Sequence, residues 1–313
     1  MALDLDLRKL RYFVAVAEEL HFGRAAERLH IAQPVLSRQI KALESELKVQ
    51  LFARDKRATE LTSAGRQLLS DAVPLLASAE ATRRRLARAA GGTETFAIGF
   101  MPGLIVTGAV RELSRRYPHL SVEVVRTGWS DQTEVIHDGR VDVGYVRMPL
   151  DRHGLRTRNL LTEPRVAVLP ADHPYAHKGV LSVNDLADEH LLQDPDAVPE
   201  WRDIATELSA EAPADRQRTP PPTLTVEEKL ENVAAGRGVV ILPLSTASYY
   251  TRPDVTHVEI SDIAPSQVCL AWASSRRSPL IHEFAAIAAE HDATGHDATG
   301  HDATGHDATG HRQ

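Results

Sequence analysis

Cysteine is nearly absent from this sequence, since only Cys269 occurs in 313 residues. One cysteine per chain excludes an internal disulfide framework, a thiolate metal cage and a two-cysteine redox switch within the chain. Long apolar runs are also missing, because no segment approaches the roughly 20 residues that a membrane span requires. The opening MALDLDLRKL carries acids where a signal peptide needs basic residues. We therefore expect a cytoplasmic protein that has no membrane partner.

Recognisable enzyme motifs are missing as well. The sequence contains no nucleophile elbow, no phosphate-binding loop and no paired histidines of a zinc helix. The GRG at 236–238 lacks the third glycine of a dinucleotide-binding fingerprint, and it ends a predicted helix instead of opening one. We expect neither an enzyme nor a cofactor. An enzyme that uses a two-lobed cleft is the alternative that a turnover screen would test.

The net charge conceals a division of the chain. The whole sequence has 36 Lys+Arg against 43 Asp+Glu, a formal charge of -7. Residues 1–90 hold 16 basic and 11 acidic residues, a balance of +5, so that the remainder is at -12. The negative net charge of the whole chain, taken alone, argues against binding to nucleic acid. The division by sign instead predicts an N-terminal unit that meets polyanions, followed by an acidic unit with another task.

Apolar residues near the start of the chain recur at helical spacing. We expect helices over residues 7–17, 23–29 and 33–47, and Pro34 fits the first turn of the third helix. The period then changes in LFARDKRATELT, where two apolar segments flank a basic turn, which indicates a two-stranded β-ribbon, or wing. Together these elements predict a winged helix-turn-helix domain over residues 1–63.

Residues 64–90 keep a heptad alternation of apolar positions. A seam of this length predicts one long helix that needs a partner helix, so we expect a linker through which two chains dimerise. Pro74 lies inside this helix and predicts a bend or a local unwinding.

Strand-like and helical segments alternate after Gly91-Gly92. We predict strands at 96–100, 121–125, 141–146, 166–169, 239–242 and 267–273, and helices near 104–117, 131–138, 226–235 and 279–290. This alternation predicts an α/β domain over 91–290 with mostly parallel sheets. Two lobes are expected, one from about 91–161 with 267–290 and the other from about 162–266. Residues 291–313 carry four HDATG repeats and are expected to be disordered.

The third predicted helix carries side chains suited to reading DNA. Gln33 can pair with adenine and Arg38 with guanine, and Ser37 and Lys41 suit phosphates or bases. The DNA-contacting residues expected on this helix are Gln33, Pro34, Ser37, Arg38 and Lys41, with Arg54, Lys56 and Arg57 of the wing on flanking phosphates. The competing interpretation is a merely solvated helix face. Two such units on a dimer require an inverted repeat in double-stranded DNA.

A resemblance to a known family rests on the run AAERLHIAQPVLSRQIKALESELKVQLFARDKRATELTSAG at 25–65. This run resembles the signature of LysR-type transcriptional regulators. PADHPYAH at 170–177, LSVNDLAD at 181–188 and VAAGRGVVILP at 233–243 are similar to the effector domain of the same family. The resemblance implies an activator or repressor that dimerises through its linker helices and often forms tetramers. It also implies an effector that binds between two lobes like those of periplasmic binding proteins. RNA polymerase is expected as a further partner.

Two positions depart from the family pattern. Ala32 stands where a Ser usually caps the third helix, so capping energy of typically about 1 kcal/mol is missing or is supplied otherwise. Lys48 replaces the usual Gly after that helix, which predicts mild strain if the chain turns through the left-handed region there.

The resemblance also implies where the effector binds. The implied pocket residues are Met101, Pro102, Thr127, Gly128, Trp129, Arg147, Pro199, Trp201, Thr225 and Val226. Helix N-termini at strand ends favour an anion, and Arg147 could clamp a carboxylate, so we expect a small carboxylate. VGYVRMP is most similar to the branch of the family that senses aromatic acids and muconate. The competing role for Arg147 is an ion pair within the protein.

Three alternatives to a carboxylate-responsive regulator stay open. The first is a constitutive DNA-binding regulator without an effector. The second is a redox sensor built on Cys269, although a cysteine in an apolar strand is expected to be a buried small hydrophobe. The third is a metal sensor built on the tail histidines 291, 296, 301, 306 and 311, whose spacing also follows from repeat expansion. We expect no metal site.

Overall fold

The computed structural model describes residues 5–54, 59–90, 92, 94–208 and 225–298. The chain divides into two compact units near Gly91-Gly92. In the described part, none of the helices is long and apolar enough to cross a membrane. The N-terminal unit contains α1 (Leu7–Glu19), α2 (Phe22–Arg28), α3 (Gln33–Leu47), β1 (Phe52–Arg54), β2 (Thr59–Leu61) and α4 (Ser63–Ala90).

The apolar faces of α1, α2 and α3 meet in one small core. Phe13 and Phe52 lie there with their ring centroids 5.5 Å apart, and Leu36 and Ile40 of α3 are fully buried. β1 and β2 pair antiparallel, with Phe52 opposite Leu61. The predicted three helices and the wing are thus present, and α3 has the predicted bounds, although Val35 is exposed and the buried stripe begins at Leu36.

The wing and α4 meet at Thr62 and Gly65. The Thr62 hydroxyl donates to the Gln50 carbonyl over 2.7 Å, and it accepts the Gly65 N–H over 3.0 Å at the start of α4. A Cβ on Gly65 would lie 2.1 Å from the Leu51 carbonyl oxygen, so only glycine fits this approach. The spacing Leu-Thr-x-Ala-Gly therefore serves the junction between the wing and the long helix.

The long helix α4 continues through Pro74 without interruption. The predicted local unwinding is therefore wrong, whereas the bend stays a prediction. Pro74 has no N–H to donate to the Ser70 carbonyl. Because Ser70 is exposed, a water molecule can donate a hydrogen bond to that carbonyl instead. Apolar side chains stand exposed along α4, namely Val73, Leu75 and Leu86, the last with 66% of its surface accessible.

The C-terminal unit is a mixed α/β domain. Its helices are α5 (Thr107–Arg116), α6 (Glu134–His137), α7 (Pro199–Arg202), α8 (Val226–Ala234), α9 (Leu244–Tyr249) and α10 (Pro279–Ala298). Its strands are β3 (Thr95–Phe100), β4 (Ser121–Arg126), β5 (Val143–Arg147), β6 (Leu155–Glu163), β7 (Arg165–Pro170), β8 (Val180–Leu181), β9 (Val240–Pro243), β10 (Val255–Ile260) and β11 (Ser266–Ala273).

These strands form two sheets, which define the two lobes. Lobe one has the strand order β4-β3-β5-β11-β6, and lobe two has β8-β10-β7-β9. The chain crosses between the sheets from Glu163 to Arg165 and again from Ile260 to Ser266. The predicted mostly parallel sheets are wrong, because β11 pairs antiparallel with β5 and β6, and β7 pairs antiparallel with β9 and β10. β7, which arrives from lobe one, and β11, which returns from lobe two, each run antiparallel to their neighbours in the sheet that they enter.

The C-terminal helix α10 covers one face of the lobe one sheet. Phe284 packs there against Phe96, with ring centroids 5.5 Å apart. The helix continues to Ala298 and so includes the first tail residues, which corrects the prediction of disorder from 291 onwards. Once an amphipathic helix is nucleated, each further residue adds one hydrogen bond, and this extends it into the repeat. Residues 299–313 lie outside the described residues.

Candidate DNA-reading helix and effector cleft

The five predicted DNA contacts on α3 share one face. At 3.6 residues per turn, positions 33, 34, 37, 38 and 41 fall within about 140° of the helix circumference. Gln33, Pro34, Arg38 and Lys41 are exposed, and Ser37 is half-buried. The opposite face carries the buried Leu36, Ile40 and Leu43. The helix is therefore fixed by its apolar side and presents its polar side outward, the arrangement that major-groove reading requires.

The two cations of this face are free of acidic partners. Among the described residues, neither Arg38 nor Lys41 has a hydrogen bond or an ion pair. Other cations of the same unit are neutralised, because Arg24 lies 3.2 Å from Glu19 and Arg28 lies 2.6 Å from Glu18. Arg38 and Lys41 therefore leave positive charge on the exposed face of α3 that is available to phosphates.

Both ends of α3 have unusual geometry. No side chain caps its first turn at Ala32, so the family capping bond is absent at this residue. At the other end Lys48 has φ 57°, in the left-handed region, and the N–H of Val49 donates to the Glu44 carbonyl over 3.1 Å. This is a Schellman-type end, which glycine normally supplies. The chain therefore turns through the left-handed region at Lys48, which is the condition under which the sequence predicts mild strain.

The buried Glu44 connects α3 to the wing. Its Oε1 accepts the N–H of Leu51 over 2.9 Å and that of Phe52 over 3.3 Å. Arg54 is the last residue of β1, whereas Lys56 and Arg57 lie outside the described residues. The contacts of these three basic residues with phosphates stay predictions.

In the C-terminal unit, predicted effector residues follow the ends of parallel strands. Met101 and Pro102 come after β3, and Thr127 comes after β4, where its N–H donates to the Phe100 carbonyl over 2.9 Å. Thr127 has only 3% of its surface exposed, and its hydroxyl has no hydrogen-bond partner among the described residues. A buried hydroxyl without a partner is uncommon in proteins and marks a position where a ligand can bind.

Arg147, the predicted carboxylate clamp, is held by a network within the protein. Its Nη1 lies 2.5 Å from a carboxylate oxygen of Glu163 and 3.2 Å from the hydroxyl of Ser266. Its Nη2 lies 2.9 Å from the hydroxyl of Ser245 and 3.4 Å from that of Thr246. The side chains of Arg147 and Glu163 are 3% and 6% exposed, so this is a buried ion pair. The clamp role stays a prediction that must compete with this pair.

Contacts between the lobes cluster around the same place. The Thr246 hydroxyl donates to the Pro102 carbonyl over 3.0 Å. Arg126, at the end of β4, lies 3.3 Å from Glu227 in the first turn of α8, and the hydroxyl of Tyr250 donates to Glu227 over 3.1 Å. Lobe one and lobe two therefore meet where the predicted pocket residues of both lobes lie.

The remaining predicted pocket residues are distributed unevenly. Gly128 donates its N–H to Asp131 over 2.7 Å, Trp129 is exposed, and Thr225 and Val226 begin α8 beside Glu227. The structure does not bring Trp201 to the cleft. It is fully buried in the core of lobe two and donates its ring N–H to the Leu186 carbonyl over 2.9 Å, and Pro199 is exposed at the start of α7. Their effector contacts stay predictions.

Sequence reasoning missed the polar partners that organise the cleft. These are Arg126, Gln132, Glu163, Glu227, Ser245, Thr246 and Ser266. Glu163, Ser245 and Arg126 each lie at or next to a strand end, which is the signal that selected Met101 and Thr127. Applied to every predicted strand end, that signal would have included Arg126 but not Glu163, because β6 was not predicted.

Neither alternative sensor has a developed site. The Cys269 side chain is buried, its thiol lies 3.2 Å from the Asn159 side-chain oxygen, and burial raises the pKa of the thiol. A thiol with a raised pKa is a poor nucleophile at neutral pH. Within the described ranges, no three His, Cys, Asp or Glu side chains gather as metal ligands. Most of the tail histidines lie outside those ranges.

Comparison with known families supports the two-part architecture. Residues 7–66 match the model of the bacterial regulatory helix-turn-helix protein, lysR family, and residues 89–293 match the LysR substrate binding domain. The chain belongs to the LysR family of bacterial regulators. It is a DNA-binding transcriptional regulator with an effector-binding domain, and the predicted family, fold class and lack of enzymatic function are confirmed.

Individual relatives extend over almost the whole chain. The chain is 32% identical to the Hca operon transcriptional activator HcaR of Escherichia coli K12 over 294 residues, which cover 93% of this chain and 99% of that protein. It is 31% identical to the regulator AlsR of Bacillus subtilis 168, covering 91% and 95%. The crystal structure of full-length BenM has a TM-score of 0.50 and 29% identity, covering 93% and 98%.

Proposed function

We propose that a small carboxylate binds between the two lobes of the C-terminal unit and changes how the N-terminal unit binds an inverted repeat in DNA. The unpartnered Thr127 hydroxyl supports this proposal most directly, because it is buried at the ends of two parallel strands. Ligands of open α/β sheets bind at this end of the strands. Arg126, Arg147 and Thr246 lie around the same cleft, and the half-exposed guanidinium of Arg126 supplies hydrogen-bond donors.

Self-association is the second part of the proposal. Val73, Leu75 and Leu86 leave apolar surface along α4 without cover in a single chain. A partner helix from another copy would cover that surface, and two α3 helices would then read two half-sites. We propose a dimer, with a tetramer as the larger assembly and RNA polymerase as a further partner.

The effector proposal is tested by footprinting the DNA upstream of the gene for this protein, with and without benzoate, muconate and succinate. These compounds are first screened for a shift in melting temperature. We expect at least one acid to shift the melting temperature and to change the protected bases. Protection that is the same with every acid, together with an unchanged melting temperature, would overturn the effector.

A matched pair of variants tests the position of the site. Thr127→Val removes the hydroxyl and keeps the shape, and the loss of one neutral hydrogen bond should weaken effector binding about 3- to 10-fold. Thr251→Val, which changes an exposed threonine after α9, should leave binding unchanged. Equal affinities of Thr127→Val and the unmodified protein would remove Thr127 from the site.

A further inference from the structure

The carboxylate of the proposed effector needs a cationic partner, and Arg147 is poorly suited to this role because it is already paired. Its guanidinium already binds Glu163, and Ser245, Thr246 and Ser266 surround it. An effector that took Arg147 would leave Glu163 buried without its counter-charge. Breaking a buried ion pair in this way is strongly unfavourable.

Arg126 lies at the same end of the lobe one sheet but in different surroundings. It is the last residue of β4, pairs in register with Phe100 of β3, and directly precedes Thr127. Its side chain is 46% exposed, and its ion pair is a single 3.3 Å contact with Glu227. Exposed pairs of this kind contribute little and exchange easily. The guanidinium is therefore available to another carboxylate at little cost.

Glu227 already occupies the position of such a carboxylate. Its own backbone N–H, the Tyr250 hydroxyl and the charge of Arg126 lower the pKa of Glu227, so it is ionised at neutral pH. An effector anion at this place must displace Glu227, because both carboxylates would bind the Arg126 guanidinium. The first turn of α8 also carries Glu228, whose carboxylate accepts the Thr225 N–H over 2.7 Å. Without Arg126 this entrance of the cleft would be acidic.

We infer that Arg126 is the residue that binds the carboxylate of the effector, and that Glu227 is an internal competitor for the same guanidinium. The effector carboxylate accepts two hydrogen bonds from Arg126, a second polar group of the effector binds the Thr127 hydroxyl, and the Glu227 side chain moves to solvent. Arg147 instead holds Glu163 and Ser245 together at the base of the cleft. This inference rests on the proposed effector site and names its anion-binding residue.

The two members of the pair should respond in opposite directions. Arg126→Gln should weaken carboxylate binding at least tenfold, whereas Glu227→Gln, which removes the competitor, should strengthen it about threefold. Arg115→Gln is the matched control, because Arg115 is an exposed arginine paired with Glu112 on α5. It should leave the affinity unchanged. These proteins, and the Arg147→Ala variant, are used as full-length chains.

Affinities are measured by calorimetry with benzoate, muconate and succinate, each beside its neutral amide. Arg126→Gln should abolish the preference for acid over amide. Acid binding that survives Arg126→Gln but is lost in Arg147→Ala would overturn the assignment and keep the proposed effector site. Acid binding that survives both Arg126→Gln and Arg147→Ala would also overturn the assignment and keep the proposed effector site. If the unmodified protein binds none of these acids, both this assignment and the carboxylate effector are wrong.

Discussion

Replacing Lys48 with glycine should stabilise the DNA-binding unit. Lys48 ends α3 with φ 57°, and its side chain is exposed. The left-handed conformation costs a residue with a Cβ about 1 to 2 kcal/mol, and glycine avoids this cost. Glycine also loses more backbone entropy on folding, by about 0.5 to 1 kcal/mol. The difference leaves a net gain of about 1 kcal/mol for Lys48→Gly.

Native-state hydrogen exchange on the full-length chain can measure this gain locally. A gain of about 1 kcal/mol should slow the exchange of α3 amides about fivefold, if these amides exchange through opening of the whole unit. Lys48→Ala is the control, since it removes the charge but keeps the Cβ, and it should give no gain. Equal slowing in both variants would assign the effect to charge, and no slowing in Lys48→Gly would refute the strain.

Three further results are expected. Gly65→Ala should lower the melting temperature of the N-terminal unit by the equivalent of about 1 to 3 kcal/mol, because its Cβ would lie 2.1 Å from the Leu51 carbonyl oxygen, and an unchanged melting temperature would contradict this close approach. Arg38→Ala should relax base choice at one position of the DNA site, whereas Arg57→Ala should weaken all sequences evenly and flatten the salt dependence by about one unit, so a uniform loss in both would show that the roles are wrong. Cys269 is buried and its thiol pKa is raised by burial, so iodoacetamide at pH 8 should label the unfolded chain and not the native one, as mass spectrometry would show.

Elements with strong local signals could be predicted from the sequence. α3 begins and ends where its apolar period and Pro34 predict, and the wing follows from the change of period after it. Strand β6 was missed because LRTRNLLTE is polar along most of its length. The direction of β11 could not be predicted, because it depends on a return from the other lobe and not on its own residues.

The cleft was only half predictable for a similar reason. Met101 and Thr127 follow strands, so their place can be derived locally. The partners of Arg147 come from residues 16 and 98 positions away in sequence, at Glu163 and Ser245. No local pattern indicates that these segments meet, so the partners of Arg147 could not be derived from the sequence around it.

The buried pair between Arg147 and Glu163 also restricts how this family of sequences can change. Substituting either residue alone leaves a buried charge without its partner, at a cost of about 3 to 5 kcal/mol, whereas exchanging both for apolar residues of similar volume can be neutral. Replacing these two residues one at a time therefore passes through a single variant that is destabilised. Natural relatives should carry the arginine and the glutamate together or lack both, and a redesign of the cleft has to treat the two positions as one.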